Sequence, residues 1–160
     1  MLRWLWLTGL VIALDQLSKW LAEQMLTPHV SQAIVPSVNI TLVYNTGAAF
    51  SFLSQASGWQ RWFFSLLAVA VSVLIVLWMR RLRPQEQWTA AGLAMVLGGA
   101  LGNLIDRLIH GHVIDFIDLY YHGLHWPTFN IADSAITLGA AVLIVHGLFA
   151  RQPGPNALND

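Results

Sequence analysis

Two acids stand out by their neighbours: Asp115 in Val113-Ile114-Asp115-Phe116, and Asp133 in Phe129-Asn130-Ile131-Ala132-Asp133-Ser134. Two carboxylates brought face to face at a water-accessible pocket cannot both ionise cheaply, so one holds a proton at neutral pH. Such a pair can hydrolyse a peptide bond. One carboxylate takes a proton from the attacking water while its protonated partner donates to the carbonyl oxygen. No thiolate is needed, and the chain has no cysteine. Each acid also has a plainer explanation. Asn130 as an N-cap with Asp133 at the third helical position would complement a helix dipole, and Asp115 could be a solvent-facing strand residue. Spacing alone leaves open whether the two meet, and Asp118 nearby is given no role.

Other polar residues fall where they are costly. Asp15 and Lys19 are four apart inside an apolar run, the favourable order for a pair on one helix face. Mutual neutralisation, with Lys19 snorkelling outward, explains them without catalysis. Asn103 lies one helical turn before Arg107. An amide and a guanidinium there could grip a peptide backbone, or serve as a structural hydrogen bond and a headgroup contact. Gly98 and Gly102 form a small-xxx-small spacing that lets a neighbouring helix approach. His110, His112, His122 and His125, with Asp115 and Asp118, offer metal ligands, but the spacings match no strong zinc signature; no metal and no cofactor is expected.

The elements that must position these residues follow from composition. The 160-residue chain has 8 Lys+Arg and 8 Asp+Glu, making it 10% charged, 56% hydrophobic and neutral overall, with a mean hydropathy of +0.58. A soluble domain carries roughly 25% charge, so this is a membrane protein, mainly α. The absence of a basic run excludes nucleic acid as a partner. Spans of about 20 apolar residues fit four transmembrane helices over about 4–22, 60–79, 88–105 and 132–150. A secretory signal peptide is the alternative for the first, but the apolar run resumes at Trp20 and Leu21 without a convincing cleavage site.

Arg3, Arg80, Arg81, Arg83 and Arg151 place both termini and the short turn on the cytoplasmic side. Segments of about 23–58 and 106–130 then face outward, with the acids. Val38 to Tyr44 alternates with period 2, Asn45-Thr46-Gly47 marks a turn, and 112–129 suits a hairpin whose second strand is confined to an edge by Pro127. A small sheet therefore rests on the bundle. Residues 1–151 form a single membrane-embedded domain, and 152–160 a disordered tail. A proton-coupled transporter or channel subunit is the alternative function, since intramembrane acids often mark ion pathways. Clustering of the acids at one face disfavours it.

Taken in order, Asp15-Gln16-Leu17-Ser18-Lys19, Asn45-Thr46-Gly47-Ala48-Ala49-Phe50, Gly98 to Asn103, Asp106-Arg107, Val113 to Phe116 and Phe129 to Ser134 closely resemble bacterial lipoprotein signal peptidases, the type II signal peptidases. The resemblance implies four transmembrane helices with a small extracytoplasmic β-cradle and a short lid-like helix. It implies Asp115 and Asp133 as the catalytic dyad, Asn45, Arg107 and Asn130 as substrate-binding residues, and Asp15 and Lys19 as important for activity or as structural support; Gly47, beside Asn45, and Asn103, beside Arg107, are expected in the same substrate-binding set. The implied activity is removal of signal peptides from diacylglyceryl-modified prolipoproteins, before the lipidated cysteine, by a monomer among the lipids of the bacterial inner membrane. No role is assigned to 122–127.

Overall fold

The computed structural model describes residues 1–47 and 58–149. A 3-10 turn at Leu2–Trp4 leads into helix α1, Leu5–Met25, followed by strands β1, Gln32–Val35, and β2, Val38–Asn45. Helices α2, Trp59–Arg81, and α3, Gln87–Ile109, come next, then strands β3, Val113–Tyr121, and β4, Leu124–His125, and helix α4, Ile131–Phe149.

Length and apolarity explain the helices. At about 1.5 Å per residue, a helix of twenty or so residues matches the roughly 30 Å hydrocarbon core. Helices α2, α3 and α4 are long and apolar enough to cross a membrane. Helix α1 has 21 residues but is interrupted by Asp15, Lys19 and Glu23. Two of those charges turn inward: Asp15 and Lys19 are buried. Lys19 is 1% exposed, so it does not snorkel outward. An inward cation is held by the acids it meets, described below.

Helix α3 is the central post, with 67% of its apolar stretch buried, against 22% for α2 and 17% for α4. Its glycines allow this. A Cβ on Gly98 would lie 2.7 Å from Val11 of α1, and one on Gly92 would lie 2.9 Å from the Gly139 carbonyl of α4. The outward faces of α2 and α4 keep Trp62, Leu66, Leu74, Ile144 and Leu148 exposed, as lipid-facing surfaces do. Ile75, Met79, Leu93 and Leu97 form the α2/α3 part of the core.

The four strands make one antiparallel sheet in the order β1-β2-β3-β4. Its Leu42 and Ile114 pack on Ala22 and Leu26 at the end of α1. The 112–129 hairpin forms around a turn with His122 and Gly123 at positive φ, and β4 is an edge strand two residues long, as Pro127 requires. Phe129 rejoins β3 by an isolated bridge to Ile117. Strand β1 had no counterpart in the sequence pattern; it is short and fully exposed, so it lacks an alternating apolar face.

Helix α3 continues to Ile109, beyond the boundary at 105 read from hydropathy, because Asp106 and Arg107 are satisfied inside the protein rather than by water. Among the described residues no short helix beyond the 3-10 turn accompanies the sheet, so the lid-like helix is not seen there. The Ala48-Ala49-Phe50 motif and the tail 152–160 lie outside the described residues.

Candidate active site

The C-terminal ends of α1 and α3, the N-terminus of α4 and strand β3 converge at one end of the bundle. Lys19 Nζ lies 2.7 Å from Asp15 Oδ2, 2.8 Å from Asp106 Oδ2 and 3.0 Å from Asn103 Oδ1. Asp15 in turn accepts the N–H of Ala132 in the first turn of α4 at 2.8 Å. Asp106 accepts the N–H of Ile114 on β3 at 3.1 Å and the Gln16 amide at 2.8 Å. The Asp15/Lys19 pair thus ties α1 to α3 and α4, and α3 to the sheet, which goes well beyond mutual neutralisation on one helix.

This network orients Asn103. Lys19 can only donate, so it fixes the Asn103 oxygen toward itself and leaves the amide N–H to donate to Asp133 Oδ1, at 2.8 Å. Asn130, fully buried, makes the complementary connection. Its Nδ2 donates to Asp115 Oδ1 at 2.7 Å and to Asn103 Oδ1 at 3.2 Å. Its Oδ1 accepts the N–H of Asp133 at 2.9 Å, the N-cap bond anticipated from the sequence. Capping and site assembly are therefore both done by one side chain.

Asp115 is 2% exposed, which excludes the solvent-facing strand alternative. Asn45 Nδ2 donates to its Oδ2 at 3.0 Å from the end of β2, while Asn45 Oδ1 accepts the N–H of Gly47 and closes a local turn. Burial and the nearby Asp133 charge push the Asp115 carboxyl up to about 7, against the opposing bonds from Asn45 and Asn130 and the Lys19 charge. Desolvation and a like charge are the two influences that keep an acid protonated near neutrality.

Arg107 donates to the Asn103 carbonyl and, across the site, to the Gly47 carbonyl, each at 3.3 Å. Its guanidinium lies over the Phe64 ring, 5.3 Å from the centroid. Asn45, Asn103, Arg107, Asp115 and Asp133 line a cavity of about 640 Å³. Leu119, Trp126, Phe129, Ile136 and Leu138 give the same cavity an apolar side. Each residue expected in the catalytic or substrate-binding set is therefore at this cavity or one hydrogen bond from it, while Lys19 and Asp15 lie behind Asn103 and Ala132 and the histidines sit elsewhere.

Sequence spacing did not reveal the structural part played by Asp106 or Gln16. Their signal was available as an acid and an amide beside buried partners, but the partners are about 90 residues away. Asp118, set aside in the sequence, is buried and paired with His125. Among the described residues no three His, Cys, Asp or Glu side chains gather in a metal-binding geometry. The buried ionisable groups sit at one end of the bundle instead of forming a chain across it, as a proton relay requires.

Comparison with known proteins agrees with this arrangement. The family model described as signal peptidase (SPase) II matches residues 7–149. The lipoprotein signal peptidase of Pseudomonas aeruginosa is 49% identical over 158 residues, covering 98% of this chain and 94% of that protein. That of Alteromonas mediterranea is 51% identical over 144 residues, covering 90% and 79%. A bacterial membrane enzyme solved at 1.9 Å superposes with a TM-score of 0.83 at 28% identity, covering 93% of this chain and 94% of that one. A second, solved at 2.3 Å, gives 0.81 at 30% identity, covering 91% and 87%. With two acids gathered at a largely apolar cavity and the family model spanning nearly the whole chain, this membrane protein belongs to the signal peptidase II family of peptidases.

Proposed function

We propose that Asp115 and Asp133 are the catalytic pair of an aspartic endopeptidase that removes signal peptides from diacylglyceryl-modified prolipoproteins, cutting just before the lipidated cysteine. The observation that carries this is one cavity lined by both carboxylates, where burial and the neighbouring Asp133 charge push the Asp115 carboxyl up to about 7. Asp133 takes a proton from water as its oxygen attacks the scissile carbonyl, and Asp115 donates to the carbonyl oxygen. The tetrahedral intermediate then collapses, breaking the C–N bond as the leaving nitrogen is protonated.

Asn45, Gly47, Asn103, Arg107 and Asn130 serve as the substrate-binding and orienting set. Arg107 and the asparagines supply donors for a peptide backbone, and Gly47 supplies the carbonyl that steadies Arg107. The apolar side suits acyl chains, which contribute about 0.8 kcal/mol per buried CH₂ and so hold the scissile bond in place. The enzyme is assigned as a monomer.

The membrane is assigned as the bacterial cytoplasmic one, with both termini inside and the site at its outer face. Arg80 and Arg81 in the last turn of α2 and Arg83 in the link to α3 support that orientation. Because the chain has no cysteine, single cysteines at Gln85 and Gly123 report it directly. Impermeant reagent labels Gly123→Cys from outside and Gln85→Cys only from inside; the opposite pattern reverses the orientation.

The decisive test uses purified protein, a lipidated precursor and its unlipidated form. Asp115→Asn and Asp133→Asn each lower cleavage by about 10²–10⁴-fold or more while the protein still inserts, and the unlipidated precursor resists the wild type. Near-full activity in either variant removes the dyad.

A further inference from the structure

Behind the reaction cavity, the outer sheet carries a second polar cluster. Asp115 and Asp118 are three apart on β3, so their side chains leave opposite faces of the strand. Asp118, 3% exposed, accepts from Thr41 Oγ1 at 3.1 Å and from Asn39 Nδ2 at 3.3 Å. Its other oxygen lies 2.7 Å from Nδ1 of His125. Ser31 and Thr41 hydroxyls are 2.8 Å apart, extending the cluster to the residue just before β1, and the Tyr120 ring stacks on the imidazole. This cluster borders a separate cavity of about 490 Å³.

Trp126, Pro127 and Thr128 line both cavities. They form a strap held at its two ends. At the first, Trp126 N donates to the Leu119 carbonyl at 2.7 Å, next to the His125–Asp118 contact. At the second, Phe129 exchanges backbone bonds with Ile117 at 2.8 and 3.0 Å, directly before Asn130. Pro127 has no N–H to add a bond between them. Strand β4 is only two residues long, so backbone pairing alone holds the first end weakly.

We propose that His125 and Asp118 are positioning residues that fix the Trp126–Thr128 wall of the reaction cavity and thereby set how tightly the apolar part of the lipid-modified substrate is held. This rests on the peptidase function proposed above. Burial opposes ionisation of Asp118, but the bonds from His125, Asn39 and Thr41 outweigh it and keep the carboxyl below its usual range. An ionised acceptor makes a stronger bond than a neutral one. The pair touches none of the reacting groups, so its loss alters binding of the substrate while leaving the chemical step intact.

Steady-state cleavage of a lipidated precursor by wild type, His125→Ala, His125→Asn and Asp115→Asn tests this. The His125 side chain is 52% exposed, so its replacement does not open the core. His125→Ala raises KM about three- to tenfold and leaves kcat within about twofold. His125→Asn, whose amide nitrogen can take the place of Nδ1, restores KM. Amide exchange at residues 126–129 is faster in His125→Ala than in wild type. An unchanged KM, a loss confined to kcat, unaltered exchange, or His125→Asn no better than His125→Ala overturns the strap assignment. If wild type fails to cleave or Asp115→Asn retains full activity, the peptidase function itself falls; an inactive Asp115→Asn beside a normal His125→Ala overturns only the strap.

Discussion

The amide nitrogen of Asn130 lies 2.7 Å from Oδ1 of Asp115, while the oxygen of the same amide caps α4 at Asp133. One side chain therefore couples a strand acid to a helix acid that is 18 positions later in the chain. The two halves of the amide can be separated by substitution. Asn130→Asp keeps an oxygen for the cap but loses the donor and sets a further carboxylate against Asp115. The cap survives, but the buried like-charge contact lowers thermal unfolding in detergent, and cleavage falls about 10²-fold or more. Asn130→Ala loses both functions and also destabilises the protein by about 0.5–2 kcal/mol. Equal activity in Asn130→Asp and wild type would show that the Asp115 contact is incidental.

With Asp115 as the proposed proton donor, activity is expected to have an alkaline limit. Its folded value, about 7, is raised above the ordinary carboxylate range, so its protonated form dominates below neutrality and is lost as pH rises through about 7. If the protonated acid is the donor to the carbonyl, cleavage declines over the same window, about tenfold per unit beyond it. By linkage, any stability this group contributes is fully present below the ordinary carboxylate range and is lost as pH rises through about 7. Asn45 donates to the ionised form and so lowers the value. Asn45→Ala therefore moves the alkaline limb to higher pH. A limb that moves down, or stays put, assigns the titration to another group.

The Lys19 network makes a prediction about stability. Its ammonium is the shared partner of Asp15 and Asp106, all three buried. Removing one member of a buried ionic set leaves its partners uncompensated, which costs about 3–5 kcal/mol. Lys19→Met is expected to lose that much, measured by unfolding in detergent. Asp15→Asn combined with Lys19→Met is less damaging than Lys19→Met alone, because one orphaned charge is gone. Additive losses in the double variant would mean that the pair is not coupled.

Hydropathy and periodicity made the four helices and strands β2 and β3 legible, because each buries or exposes a continuous apolar set. The site was legible for a different reason: Asn45, Asn103, Arg107, Asp115, Asn130 and Asp133 are polar residues in apolar company, where each needs a partner. What spacing could not supply was the partner. Spacing pairs Lys19 with Asp15 on a single helix face, yet Lys19 also faces Asp106, from a helix more than 80 residues away. Nothing beside Asp118 in the sequence marks it, because its burial depends on Asn39 and Thr41 across the β2–β3 ladder. The hidden β1 strand follows the same rule, being exposed along its length and defined only by its pairing with β2.

The glycines of α3 make a further prediction, because they meet close contacts where glycines of α1 and α4 face open space. A Cβ on Gly99 would collide with the Ala132 carbonyl and lie 2.7 Å from Ile136, and one on Gly102 would lie 2.6 Å from Asp15 Oδ2. Gly9 and Gly147 have nothing within 4 Å of that position. Overpacking of a close helix contact costs about 1–3 kcal/mol, whereas alanine in open helical positions adds about 0.5–1 kcal/mol of stability. Gly99 is one turn before Asn103, whose bond to Asp133 spans the same α3/α4 seam at 2.8 Å. Gly99→Ala therefore lowers both unfolding temperature and cleavage, by pushing α4 away from the Asn103 amide. Gly102→Ala acts on Asp15 instead and disturbs the Lys19 network first. Gly9→Ala and Gly147→Ala leave both measurements at or slightly above wild type. Indistinguishable behaviour of Gly99→Ala and Gly9→Ala would mean that helix approach at this seam does not hold the two sides of the site in register.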